Sequence, residues 1–375
     1  MILKKEIPLD TYCSLPFTGF DDRSKSICCW TRLKNKYETY SDLVTSQEVL
    51  SIQHNLTNGI QDPICRDCWR QESIGIQSMR QWSIRGKELH KLHEEISLPR
   101  LRHLVIDSGN VCNLACRSCG SWSSSAYFVE DEARAKRYNQ YIFKQEFKKS
   151  NLEKILKEDF RDIRTVNILG GEPFLNLDHL KILEKIINDG HSTNCSVSYS
   201  TNATIKLSDK IIKLFKKFKE ISLSVSIDAV GKQFNYIRTL GDWNNVINNV
   251  KHFKELQQTI PTLDIGAHPT ISILNVLYLE ELFDWFEQQD IKFNLIFCDE
   301  PVHYNFSILS DNKKQLVIDH LKKSKFDMSA IINCINISEF SPTNLDNFWD
   351  ETKFTKEFRG LDLEEYLPRI YQLLL

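Results

Sequence analysis

No apolar run in this 375-residue chain approaches the length needed to cross a bilayer. The opening MILKKEIPLDTY lacks both an uninterrupted apolar stretch and a small-residue cleavage site, so it is not expected to act as a secretory signal. There is no excess of basic charge. The 48 Lys and Arg face 50 Asp and Glu, a formal net charge of −2, and nothing in that balance calls for nucleic acid. Internal repeats and low-complexity tracts are also missing. Hydrophobic residues at 41% and charged residues at 26% are ordinary globular proportions. The length allows two domains, or one large domain with an appendage. Cysteine, by contrast, is abundant. The eleven cysteines are odd in number and set as C-C and C-x-x-C, a pattern of metal ligation more than of a disulfide framework. Thiolate sites persist best in a reducing interior, so a cytoplasmic protein without a membrane partner is expected.

The densest cluster is Cys112-Asn113-Leu114-Ala115-Cys116-Arg117-Ser118-Cys119, spaced C-x-x-x-C-x-x-C. Three closely set thiolates can hold three corners of a cubic iron–sulfur cluster and leave the fourth iron open to a second molecule. The pattern around it alternates short apolar runs with helical periodicity. Strands are expected at 102–107, 164–169, 195–200, 221–227, 264–272 and 292–297, and helices near 178–189, 207–219, 243–258 and 277–289. That alternation implies a parallel sheet with crossover helices. About six such units make a partial barrel, with ligand-binding residues on the loops after the strands.

Further motifs stand at those strand ends. Gly170-Gly171-Glu172-Pro173 combines two turn-forming glycines with a carboxylate that can accept from an ammonium. Ser200-Thr201-Asn202-Ala203 closes the third strand. Ser224-Val225-Ser226-Ile227-Asp228 closes the fourth, and Tyr236-Ile237-Arg238 follows. Taken alone, Asn202 is an ordinary turn residue, Asp228 reads equally as a helix cap and Arg238 as a surface charge. Cys298, beside Asp299, Glu300 and His303, is either a hydrogen-atom donor or a buried thiol. Cys195 and Cys334 read as core residues. Residues from Gly120 to about Ser150 form an insertion, either a lid or a solvated helix. Leu361 to Leu375 reads as an amphipathic helix that packs through Leu363, Leu367, Ile370 and Tyr371.

The cysteine trio, with these motifs in this order, resembles the radical S-adenosylmethionine (SAM) superfamily. The resemblance implies a partial (β/α)6 barrel and a 4Fe–4S cluster on Cys112, Cys116 and Cys119. It further implies SAM seated by Gly170, Gly171, Glu172, Pro173, Asn202, Ser226, Asp228 and Arg238, with Glu172 toward the amino group, Ser226 and Asp228 toward the ribose, and Arg238 toward the carboxylate. Two positions depart from the family. Ser118 stands where an aromatic residue usually lies against the adenine, and Ala203 replaces a glycine.

The first hundred residues carry Cys13, Cys28, Cys29, Cys65 and Cys68 between turn-rich segments, and are expected to be a separate module ending near Leu98-Pro99-Arg100. Four of these thiols suit a structural zinc or an iron–sulfur cluster equally. The run Cys13-x-Leu15-Pro16-Phe17, Cys28-Cys29-Trp30 and Cys65-x-x-Cys68, followed by Glu72, Gly75, Ser78 and Arg80, resembles an auxiliary-cluster module of the twitch or SPASM type. That resemblance favours Cys13, Cys28, Cys65 and Cys68 as ligands of an auxiliary iron–sulfur cluster. The division expected is 1–99 for this module, 100–310 for the barrel and 311–375 for a helical extension. The resemblance also implies a reducing partner such as flavodoxin or ferredoxin. The activity implied is reductive cleavage of SAM and hydrogen abstraction from a substrate, taken to be a peptide or protein side chain. A small-molecule or carbohydrate intermediate is the alternative within the enzyme class. A catalytically silent, metal-stapled binding protein is the alternative outside it.

Overall fold

The computed structural model describes residues 6–73, 75, 77–138, 146–147 and 151–375. Its centre is a seven-stranded sheet in which every strand runs parallel to its neighbours: β1 (Gly19–Asp21), β2 (His103–Asp107), β3 (Thr165–Leu169), β4 (Ser196–Thr201), β5 (Glu220–Val225), β6 (Leu263–Ala267) and, at the far edge, β8 (Lys292–Phe293). Strand order follows chain order. The sheet therefore winds in one sense, and among the described residues its two edges do not pair. A separate parallel pair, β7 (Thr270–Ile271) with β9 (Ile296–Phe297), extends the last two strands.

Burial alternates along the strands. Leu104 and Ile106, Val166 and Ile168, Val197 and Tyr199, and Ile221 and Leu223 are fully buried. Those residues pack against the helices Leu180–Asn188, Asp209–Phe215, Trp243–Thr259 and Leu279–Gln288 in a continuous core. Period-two burial is what a sheet gives when one face alone meets its helices. The other face is largely half-buried and polar, with Asn167, Ser198 and Ser222 along it. Ser198 donates to Asn167 (2.6 Å), and Thr165 bonds to His103 (2.9 Å).

The expected strands 264–272 and 292–297 are each broken in two. Pro269 has no N–H to give a ladder, and β7 begins just after it. The first hundred residues are continuous with the barrel. Gly19–Asp21 pairs with His103–Val105, and Leu15, Phe20, Ile27 and Val49 lie in the same core as the strands. The expected C-terminal helix is two pieces, Leu363–Tyr366 and Pro368–Leu374, divided where Pro368 cannot donate. Leu363, Leu367 and Ile370 are buried and Tyr371 is half-buried. This end docks on its own chain: the Arg369 amide donates to the Tyr278 hydroxyl (3.0 Å).

In the insertion, residues 139–145 and 148–150 lie outside the described set. Its helix Phe128–Tyr138 packs on the helix Pro342–Arg359 through ion pairs of Arg134 with Glu351 (2.5 Å) and of Arg359 with Glu130 (3.0 Å). Among the described residues no helix is long and apolar enough to cross a membrane.

Candidate functional site

The loop after β2 carries Cys112, Cys116 and Cys119, and it is pinned from three sides. The amides of Ala115 and Arg117 donate to the carbonyls of Thr239 (2.9 Å) and Ile237 (2.8 Å), which bracket Arg238. The Ser124 hydroxyl donates to Leu114 O (2.5 Å), and the Tyr127 hydroxyl to Cys116 O (2.5 Å). The Arg117 side chain is buried. It donates to the hydroxyls of Thr239 (3.2 Å) and Thr355 (2.6 Å), and pairs with Glu130 (3.7 Å) and Glu351 (3.5 Å). Those carboxylates hold its guanidinium charged despite burial.

Gly170 and Gly171 let the turn after β3 press against this loop. The amides of Gly171 and Glu172 donate to Gly109 O (2.7 Å) and Val111 O (2.8 Å). A Cβ on Gly171 would stand 2.3 Å from Val111 O, and Gly170 adopts φ +127°, so neither position admits a larger residue without a shift. Glu172 is fully buried. Its carboxylate accepts from the Thr201 hydroxyl (2.9 Å) and from the amides of Asn202 (2.7 Å) and Phe174 (3.1 Å). Burial nevertheless pushes it up to about 7. The residue expected to receive an ammonium thus ties the end of β3 to the end of β4, with Pro173 buried beside it.

Asn202 reaches the cysteine loop. Its side-chain amide donates to Asn113 Oδ1 (3.0 Å) and lies 3.8 Å from Cys112 Sγ. Ala203 takes φ +58° and is buried, so it forms the left-handed turn that its glycine counterpart would form. Asp228 is neither a helix cap nor free. It accepts from Arg238 Nε (2.7 Å) and from the Thr270 amide (2.7 Å). Arg238 is half-buried, and its Nη1 lies 3.7 Å from Cys116 Sγ. Ser226 is half-buried, tied by its amide to Thr201 O (2.8 Å). Asn202 thus contacts Cys112, Asp228 and Arg238 form a chain to Cys116, and Glu172 fixes the turn that carries Asn202.

Cys298 is buried, its thiol 3.5 Å from Glu300 O, and burial near Asp228 pushes it up to about 12. Asp299 and Glu300 are exposed and His303 is half-buried. Cys195 is buried and Cys334 half-buried.

Several residues at this site had no sequence signal. Arg117 stands between two cysteines, at a position the spacing leaves unspecified. His268, just past β6, bonds to the Ser224 hydroxyl (2.7 Å) and lies 3.5 Å from the Asn294 amide. It was hidden inside an apolar run read as one strand, and the His268-Pro269 pair was the available sign of the break.

A second cysteine site lies in the N-terminal region. Cys13, Cys28, Cys65 and Cys68 line one pocket with Leu15 and Met79, and Cys29 is not among its lining residues. Cys13 Sγ lies 3.5 Å from Ser83 Oγ, and Cys28 Sγ 3.7 Å from Thr31 Oγ1. Burial pushes the Cys13 thiol up to about 12 and Cys28 up to about 11. All the cysteines are free.

The donor chemistry of both sites fits iron–sulfur clusters. Among the described residues no three His, Cys, Asp or Glu side chains are gathered closely enough to hold a single metal ion. A cubane asks for wider spacing, because each thiolate takes a different iron. Burial raises Cys112, Cys116 and Cys119 alike, with Cys116 pushed up to about 12. Ionised thiols there need a strong positive partner, which a cluster provides.

Comparison with known proteins agrees in the barrel region, where residues 106–272 match the Radical SAM superfamily. No curated protein matches the chain. Among solved structures, anSMEcpe with bound AdoMet aligns at 14% identity and TM-score 0.38, covering 69% of this chain and 61% of that one. Streptococcus suis SuiB bound to S-adenosylmethionine aligns at 15% and 0.37, covering 80% and 66%. SuiB bound to precursor peptide SuiA aligns at 15% and 0.38, covering 85% and 69%. The chain thus spans about three fifths of the length of anSMEcpe, and likenesses of this degree say nothing about what it acts on. Residues 106–272, the stretch that matches the Radical SAM superfamily, hold the cysteine trio, the double-glycine turn and Arg238.

Proposed function

We propose that this chain binds a 4Fe–4S cluster on Cys112, Cys116 and Cys119 and cleaves SAM reductively to begin hydrogen abstraction from a polar substrate. The observation that carries the reading is the contact of two separate segments with the cysteine loop: Arg238, at the end of the helix Gly231–Ile237, 3.7 Å from Cys116 Sγ, and Asn202, at the end of β4, 3.8 Å from Cys112 Sγ. When bound, cluster and cofactor supply a 5′-deoxyadenosyl radical at the expense of one electron from a donor such as flavodoxin or ferredoxin. The protein's part is positioning. Arg238 holds a fixed positive charge for the SAM carboxylate, with Asp228 setting its orientation. Glu172 locks the Thr201–Asn202 turn, and any ammonium it receives shares a carboxylate that already has three donors.

The substrate reading is a peptide or protein side chain. The half-buried, serine-rich inner face of the sheet supports a polar substrate, and it suits a carbohydrate or small-molecule intermediate as the alternative. The Cys13, Cys28, Cys65 and Cys68 pocket would hold an auxiliary iron–sulfur cluster, with a structural zinc as the alternative that four thiolates equally suit. The silent-binder alternative rested partly on Ala203, and the left-handed turn there weakens it. Reductant-dependent release of 5′-deoxyadenosine from SAM tests the proposal. Release that is lost in Cys116→Ala supports it, and no release from cluster-loaded protein rejects it.

A further inference from the structure

We propose that His268 Nε2 and the Asn294 carboxamide form a substrate clamp on the inner face of the sheet, taking an uncharged hydrogen-bonding group such as a peptide amide or a sugar hydroxyl. The inference rests on the reading that this face holds the substrate. Every strand of the sheet runs the same way, so the residues just past β6 and β8 stand at the same end as the cysteine loop. His268 follows β6 and Asn294 follows β8. The Asn294 amide donates to Ala267 O (3.0 Å), which sets the two residues side by side. Ser224 pairs with Gly266, so alternation puts His268 on the face of Ser222, Ser224 and Gly266, away from the core residues Leu223, Ile265 and Ala267. Thr270, two residues on, gives its amide to Asp228, the partner of Arg238. One short segment therefore joins the clamp to the Arg238 side of the cysteine site.

The imidazole is held at one nitrogen and open at the other. Nδ1 bonds to Ser224 Oγ (2.7 Å), which fixes the ring and leaves Nε2 as the remaining site. Nε2 lies 3.5 Å from Asn294 Nδ2, the outer limit of a hydrogen bond. Asn294 is exposed, and among the described residues its side-chain oxygen accepts no bond. Beside the ring, Gly266 leaves room: a Cβ there would have Lys292 O at 3.4 Å as its nearest neighbour. Burial holds His268 below the ordinary imidazole range, so the ring is neutral at neutral pH. The charged residues on the same face, Asp264 and Lys292, bond to neither member of the clamp. Two neutral groups, one with a free ring nitrogen and one with a free carbonyl, complement a partner that is uncharged and polar.

The test is heteronuclear NMR of the anaerobically reconstituted protein with isotope-labelled histidine, using His268→Gln to identify the His268 resonances. The probes are N-acetylalanine methylamide, methyl glucoside and acetate. The capped amide or the glycoside is expected to move the Nε2 resonance saturably, and whichever does so names the source of the uncharged group. Acetate is expected to leave it in place. Asn294→Ala changes an exposed side chain and should keep the fold and the cluster absorbance, yet weaken that binding about fivefold, the net worth of one hydrogen bond. A resonance that none of the probes moves, that acetate alone moves, or that titrates equally in Asn294→Ala overturns the proposal. The experiment reads no SAM cleavage, so absence of 5′-deoxyadenosine release from cluster-loaded protein separately rejects the enzymatic reading.

Discussion

The two cysteine sites differ in what stands between their thiols. In the central loop, polar groups from other segments of the chain reach the sulfurs, with Arg238 on Cys116 and Asn202 on Cys112. In the N-terminal pocket Leu15, Ile27 and Met79 stand among the thiols beside Arg80 and Thr31, and the hydroxyls of Ser83 and Thr31 lie near Cys13 and Cys28. The first arrangement sets a charged group and an amide beside the thiols. The second closes four thiols into an apolar enclosure. The supports differ too. The central loop hangs on backbone pairing with residues 237–239 and on the buried Arg117, whereas the pocket is braced by Arg80, which pairs with Glu72 (2.7 Å) and donates to the carbonyls of Leu9 (2.7 Å) and Tyr12 (3.0 Å).

The largest expected effect separates the sites directly. Replacing Cys112, Cys116 and Cys119 by Ala should abolish 5′-deoxyadenosine release while iron remains bound at the N-terminal pocket. Replacing Cys13, Cys28, Cys65 and Cys68 by Ala should lower the iron content yet preserve release in the absence of substrate. Iron and zinc analysis with product quantification checks both. Zinc alone in the first variant would remove the auxiliary cluster from the account.

The braces come next. Arg117→Ala removes the fully buried cation and its bonds to Thr239 and Thr355, while Glu130 and Glu351 keep Arg134 and Arg359, and should cost about 3 kcal/mol in urea unfolding. Arg80→Ala should cost less, about 1–3 kcal/mol, because Glu72 is more exposed than Glu130 and regains water. Comparable losses in the two variants would erase the contrast in how the sites are supported.

Glu172 sharpens the comparison through pH. Its folded-state value of about 7 lies above the ordinary 4.5, so its contribution to stability is complete below about 4.5 and is lost as pH rises through about 7. The loss should be on the order of 2–3 kcal/mol. In Glu172→Gln that pH dependence disappears, so the stability gap between wild type and variant should narrow from pH 5 to pH 8. Urea midpoints across that range check it, and a gap that stays constant contradicts it. The smallest effect is Ala203→Gly. Relief of the left-handed backbone is offset by a lost buried methyl and added chain entropy, so the change in stability should stay within about 1 kcal/mol.

Much of this was legible in the sequence. Period-two apolar runs located the six long-range strand positions, since burial on one face leaves that mark. The resemblance to an auxiliary-cluster module favoured Cys13, Cys28, Cys65 and Cys68, which the fold does bring to one pocket. Strand β1 was not legible, because three residues, Gly19 to Asp21, are too few to show alternation. With it went the continuity of the N-terminal region with the barrel. The charge partners were equally hidden: nothing local in the sequence marks Asp228 as the partner of Arg238, or Glu351 as a partner of Arg117, which lies more than two hundred residues away.

Mössbauer spectroscopy of the reconstituted Cys13/Cys28/Cys65/Cys68→Ala protein addresses the central claim most directly. The account predicts one 4Fe–4S cluster per chain, with one iron site whose signal changes when SAM is added. A spectrum with no cubane, or a cubane indifferent to SAM, would contradict it.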